Sequence, residues 1–286
     1  MSFRAPAEIA KEITTVGTKK AKMSFSNTLI LAIFAGFYLA FAGQLMIVVT
    51  HDGLANFGAG IMRFIGGSAF SLGLILIVLA GAELFTGNSL LTVGLLEKKF
   101  DLKALSRNWA IVYLGNFIGS ILIVVLIYYS GLWQLASNAV GIKALDIAVS
   151  KVKLDFWTAM LRGIGANWLV CIAIWLAISG RSGIEKILGI YFPIMAFVVL
   201  GFEHSIANMF FIPMGLFLKG SLSVAGVSQL TVSSMFLNNL IPVTIGNIIG
   251  GVAFVAFPYW FVYLRKNKMP AQLTPKLVEK VVVQTK

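Results

Sequence analysis

The chain has 286 residues, of which 58% are apolar and only 12% charged. A soluble domain carries about 25% charge, so the composition excludes an ordinary soluble fold and reads as a membrane protein with several spans. The net charge of +12 sits at the chain ends and in short loops, which excludes a folded basic surface for nucleic acid and reads as membrane topology.

Residues 1–24 contain no short apolar stretch followed by a cleavage site, so no cleaved signal peptide is expected. Ile9, Ile13 and Val16 recur at helical spacing against Lys and Glu. That pattern fits either a cytoplasmic amphipathic helix lying on the membrane surface or a frayed tail. Six candidate spans follow, near 28–49, 64–93, 109–129, 156–179, 187–218 and 240–263, each close to the ~20 residues that a bilayer requires. The second and fifth are too long, and too polar in the middle, for one plain helix. Each reads as a half-helix, a loop and a second half-helix. The membrane domain is thus 25–264, followed by a cytoplasmic tail over 265–286, where Pro270 and Pro275 in a polar stretch favour disorder. Of the 23 Lys and Arg, most fall on the side that carries both termini, which the positive-inside rule assigns to the cytoplasm. Arg162 falls inside the fourth span and calls for a partner or a subunit interface. Cys171, the single cysteine, excludes an intrachain disulfide and a cysteine metal cluster.

The two interruptions carry related motifs. Gly81-x-Glu83-x4-Asn88 matches Gly201-x-Glu203-x4-Asn208 at an offset of 120, and Asn108, Gly115, Asn116 and Gly119 match Asn239, Gly246, Asn247 and Gly250 at an offset of 131. Phe25 and Phe156, ahead of the first span of each half, also differ by 131. Two halves, about 25–130 and 155–264, each read as helix, broken helix, helix. Three spans per half is an odd number, so the halves insert in opposite orientations. The fold class is an all-α membrane protein of six transmembrane helices, built as a 3+3 inverted repeat whose broken helices meet near the midplane.

Each break frees backbone groups that lipid cannot satisfy. Glu83 and Glu203 are expected to support the loops by accepting from freed N–H groups, and Asn88 and Asn208 to act as N-caps of the second half-helices. Inward-pointing helix N-termini favour an anion at the centre. Asn116, Gly119, Asn247 and Gly250 are read as packing residues that let spans three and six approach closely and hydrogen-bond across helices. His204 is the histidine within a predicted span. It titrates near neutrality, so it either holds an anion by its charge or hands the anion a proton.

The stretches 80–88, 107–109 with 115–116, 163–167 with 170–171, and 201–209 with Pro213 resemble the formate/nitrite transporter family over about residues 25–264. The resemblance implies an aquaporin-like protomer, a homopentamer with one pore per protomer, and passage of small monovalent anions: formate foremost, with nitrite or hydrosulfide as alternatives. It assigns His204 as the central histidine, Thr86 as its partner from the first loop, Asn167 as a pore asparagine and Lys151 as a vestibule lysine. It assigns Phe70, Leu74, Phe85 and Phe197 to the constrictions. Glu83 stands where some members carry Asp, and Ala166 where many carry Cys. The resemblance further implies a channel or proton-linked transporter of a prokaryotic cytoplasmic (inner) membrane. It is partnered by lipid bilayer and anion, and has no cofactor, metal or enzymatic activity. A neutral-solute aquaporin-type pore is the rival from another class, and it lacks support because paired Asn-Pro-Ala signatures are absent from the sequence.

Overall fold

The computed structural model describes residues 3–265, without the side chains at 55 and 56; the tail expected beyond 265 lies outside the described residues. Helix α1 (Pro6–Ala21) is followed by α2 (Phe25–Thr50) and α3 (Leu54–Ala80). A loop leads to the short α4 (Gly87–Leu96), and then come α5 (Leu102–Tyr129) and α6 (Ala139–Val152). The second half continues with α7 (Phe156–Ser179), α8 (Gly183–Val199), α9 (Ser205–Leu218) and α10 (Val232–Tyr263). Helices α2, α3, α5, α7 and α10 are long and apolar enough to cross a bilayer. The remaining crossing is divided between α8 and α9. The expected breaks thus fall at residues 81–86 and 200–204.

The long helices start where the sequence supplies caps. Ser24, Asp101 and Asp155 each accept the backbone N–H three residues on, from Asn27, Ala104 and Thr158. Their outward faces stay apolar: Phe34, Leu114, Leu126, Trp168 and Phe254 are exposed, as a surface that meets lipid or other subunits requires.

Helix α2 packs on α5, and α7 packs on α10, through small residues. A Cβ on Gly119 would collide with the Ile33 carbonyl, and one on Gly250 with the Ile164 carbonyl. These contacts repeat at the offset of 131 seen in the sequence, so the glycines serve the same close approach in both halves.

Two elements differ from expectation. Helix α1 is neither frayed nor laid on lipid. Its apolar face, Ile9, Ala10 and Ile13, is buried with Leu90, Val93, Cys171, Trp175 and Val255. Arg4 ties its start to the end of α7, donating from its guanidinium to Ile178 O at 2.7 Å and from its amide to Ser179 O at 3.0 Å. Helix α6 was not anticipated. Val140, Ala144, Leu145, Ala148, Val149 and Val152 form its buried face, and it ends where the second half begins, as α1 does for the first.

Candidate functional site

Both broken helices turn inward on the same backbone device. Gly81 and Gly201 have φ of 81° and 76°, a left-handed conformation that costs residues with a Cβ about 1–2 kcal/mol. The next amide then closes the preceding helix: Ala82 N donates to Ile77 O at 2.9 Å, and Phe202 N to Phe197 O at 3.1 Å.

Backbone groups of the loops beyond are taken up by the helices behind them, as burial away from water favours. In the first loop, Glu83 N donates to Leu31 O (3.1 Å). Asn116 accepts from Phe85 N (3.0 Å) and donates to Glu83 O (2.9 Å) and Ala32 O (2.8 Å). In the second loop, Glu203 N donates to Arg162 O (3.2 Å). Asn247 accepts from Ser205 N (2.9 Å) and donates to Glu203 O (3.0 Å) and Gly163 O (2.7 Å). The two asparagines therefore do more than pack spans: each pins a loop to the helix behind it.

The carboxylates are not bonded to freed loop amides, as expected from the sequence; each is held by a lysine and an asparagine pair. Glu83 sits 3.0 Å from Lys20 Nζ and accepts from Asn88 Nδ2 at 2.7 Å, and Asn88 also donates to Asn108 at 2.9 Å. Glu203 takes Lys151 Nζ at 3.1 Å and Asn208 Nδ2 at 2.7 Å, and Asn208 donates to Asn239 at 2.7 Å. Lys20 and Lys151 differ by 131, so the last turn of α1 is the counterpart of the last turn of α6. Asn88 and Asn208 are not N-caps. Each lies inside its helix, Asn88 Oδ1 accepts from Lys20 Nζ at 3.0 Å, and the cap of α9 is His204, whose Nδ1 accepts from Ala207 N at 3.1 Å. The first loop has no such cap, and α4 begins as a tight 3-10 turn at Gly87. The two half-helix starts are therefore unequal, rather than a matched pair of positive ends.

That cap fixes the chemistry of the central residue. A backbone N–H can only donate, so Nδ1 of His204 carries a lone pair and the ring proton is on Nε2. Nε2 faces Thr86 Oγ1 at 2.8 Å, so neutral His204 donates to the threonine of the opposite loop. A second proton on Nδ1 would set one donor against another and release the cap. Asn167 braces this junction, donating to Asn247 O (2.6 Å), Ser89 Oγ (3.1 Å) and Thr86 O (3.2 Å). Its amide is thus spent between the halves, and it lines neither of the two cavities that flank the centre.

Those cavities are vestibules on opposite sides of the loops. The one beside Lys151 has a volume of about 460 Å³ and reaches His204, Phe70 and Phe197. The one beside Lys20 is about 370 Å³ and is lined by Ile13, Leu31, Leu84, Ile174 and Ile178. Phe70 and Phe197 pack edge to face at 5.9 Å, and Phe197 lies 5.9 Å from His204. Leu74, four residues after Phe70 on α3, is buried and lines neither vestibule. Phe85 is placed differently from expectation. Its ring packs on Tyr113 at 4.9 Å and Trp109 at 5.9 Å, in a lateral groove between α5 and α10. Its neighbour Leu84 lines the Lys20 vestibule instead. Lys151 also lies over the Phe211 ring, 5.4 Å from its centroid. Among the residues that the sequence left without a role, Lys20, Asn108 and Asn239 complete the ion-pair clusters, and the offset of 131 is the signal that identifies them.

Comparison with known proteins places this geometry. Residues 7–261 match the family model described as formate/nitrite transporter. A probable formate transporter of Methanothermobacter thermautotrophicus is 43% identical over 281 residues, covering 93% of this chain and 99% of that one. The formate channel FocA of Escherichia coli K12 is 41% identical over 272 residues, covering 92% and 95%. Among solved structures, a pentameric formate channel with formate bound superposes with a TM-score of 0.76 at 36% identity, covering 86% and 99%. An FNT family ion channel gives 0.79 at 26% identity, covering 89% and 98%. With a family match over nearly the whole length and relatives above 40% identity, the chain belongs to the formate/nitrite transporter family.

Proposed function

We propose that each protomer of a homopentamer conducts formate between the two vestibules, with both termini in the cytoplasm of a prokaryotic cell and the Lys151 vestibule outside. Formate is chosen because the curated relatives at 41–43% identity are named for it; nitrite and hydrosulfide share its size and charge. The cations that line the outer vestibule, Lys151 among them, attract the anion. Phe70 and Phe197 then strip its water, a step expensive for a charge and cheap for a neutral acid. The observation that carries the mechanism is the neutral His204, whose Nε2–H points at Thr86 Oγ1 at 2.8 Å. This pair offers a hydrogen-bond donor at the junction of the two loops without a fixed charge, which suits HCOOH formed when formate takes a proton from vestibule water. The acid gives its proton back to water in the vestibule near Lys20. In this scheme Leu74 and Leu84 take the constriction role on the inner side, and Glu83, Asn88, Glu203 and Asn208 keep the loops in register.

The test is formate uptake into proteoliposomes from pH 5 to 8, for wild type and His204→Asn. Asn retains a cap for α9 but cannot span to Thr86. Wild-type uptake should rise as pH falls, because the protonated acid grows about tenfold per unit well above its pKa. The variant should lose most of its flux or its pH response. The same flux and pH profile in both proteins overturns the mechanism. Equal flux of uncharged solutes of similar size would favour the neutral-solute pore.

A further inference from the structure

The repeat duplicates the pore framework but not its charge. Arg162 and Leu31 occupy equivalent positions, 131 apart, and their carbonyls do the same work, accepting from Glu203 N and Glu83 N. Their side chains differ: Leu31 lines the Lys20 vestibule, whereas Arg162 lines the Lys151 vestibule. Lys143 of α6 stands 131 residues after Glu12 of α1, and Arg63 of α3 stands 120 before Gly183 of α8. Arg63, Lys143 and Arg162 come from three helices to line one cavity with Lys151. Among the described residues none of the three makes an ion pair, and none donates a side-chain hydrogen bond. Lys151, by contrast, is committed to Glu203. The other vestibule holds one lysine, and that lysine is paired with Glu83.

We infer that Arg63, Lys143 and Arg162 form a binding site for a small multivalent oxyanion at the mouth of the Lys151 vestibule. Guanidinium groups take carboxylate, sulfate and phosphate oxygens in paired hydrogen bonds, and three unpaired cations around one opening favour a ligand with more than one negative charge. Such an ion cannot shed its water to enter between Phe70 and Phe197. It therefore stops at the mouth and blocks from that side only. The blocking role rests on the formate-pore reading above; the binding site does not.

Sulfate is the probe. Titration calorimetry of the detergent-solubilised protein at low salt should give one sulfate per protomer, weakening as ionic strength rises. Arg63→Gln with Arg162→Gln should weaken it at least about tenfold, or about 1.4 kcal/mol, with an unchanged thermal midpoint as the folding control. Lys143→Gln should weaken it less, since an ammonium lacks the paired geometry. In oriented vesicles of zwitterionic lipid, sulfate should slow formate flux from the Lys151 side and not from the other. A lipid phosphate would use the same cations, so vesicles containing phosphatidylglycerol separate the sources: a block present there without sulfate assigns the site to headgroups. Absence of sulfate binding in wild type, equal binding in the double variant, or equal block from both sides overturns the proposal. Loss of binding in the variant with no formate flux in either protein removes the formate reading and leaves the site standing.

Discussion

Replacing Asn247 by Leu tests whether the loops are held from behind. The side chain is fully buried and makes three hydrogen bonds of 2.7, 2.9 and 3.0 Å. Each contributes about 1 kcal/mol net, and a buried carbonyl or amide left without a partner costs about 1–3 kcal/mol. Leucine fits the volume and has the better helix propensity, worth about 0.5 kcal/mol. The expected loss is therefore at least about 3 kcal/mol. Asn116→Leu removes three bonds of 2.8, 2.9 and 3.0 Å, so it should cost the same to within about 1 kcal/mol, and the two should add because they serve different loops. Reversible unfolding in mixed micelles, followed by near-ultraviolet dichroism, gives the free energies. A cost below about 1 kcal/mol for either variant, or a large difference between them, would refute the view that these amides carry the loop backbone.

Glu203→Gln should destabilise more than Glu83→Gln, by about 3 kcal/mol against a smaller loss. Each breaks a buried ion pair, but Lys151 has 14% of its side chain exposed and Lys20 25%, so the stranded Lys20 recovers more water; the same unfolding assay ranks them. Gly81→Ala and Gly201→Ala should each cost about 1–2 kcal/mol, for conformational reasons alone, because the added Cβ meets nothing within 4 Å. Unchanged midpoints would contradict the left-handed geometry. Acidification should spare the cap of α7. The Thr158 hydroxyl and amide hold the Asp155 carboxyl below its usual range, so its stabilisation is present above the unfolded carboxylate value and is lost only as pH falls through the lower folded one. Asp155→Asn should therefore leave the pH profile of formate flux between 5 and 8 unchanged, and a shifted profile would show that this cap contributes.

The sequence made the broken helices legible because glycine, carboxylate and asparagine in an apolar run have few other uses. The repeat was legible through two offsets. What escaped was pairing between distant segments. Lys20 looked like one more positive charge on a cytoplasmic tail, and only its distance of 131 from Lys151 marks it as the partner of Glu83. Helix α6 was hidden because its amphipathic face follows the third span without a cap signal: Asn138, ahead of it, makes no side-chain cap bond. The N-cap expectation failed at Asn208 because α9 begins earlier, at Ser205, so His204 holds the cap position and Asn208 lies one turn inside the helix, where its Nδ2 donates to Glu203. Phe85 follows the same logic of local direction. Sequence alone does not say which of Leu84 and Phe85 faces the vestibule and which the groove between α5 and α10.

The bond from Ala207 N–H to the His204 ring reaches beyond helix capping. A histidine can pass protons across a barrier only if one ring nitrogen collects while the other delivers. Here one nitrogen is engaged by an amide that has nothing to exchange, and the other meets a hydroxyl. The ring is a dead end for a proton wire, and the aromatic pair beside it interrupts any file of water. In the mechanism proposed above, a pore built this way passes no protons of its own: each one that crosses does so on the cargo, one per molecule of acid.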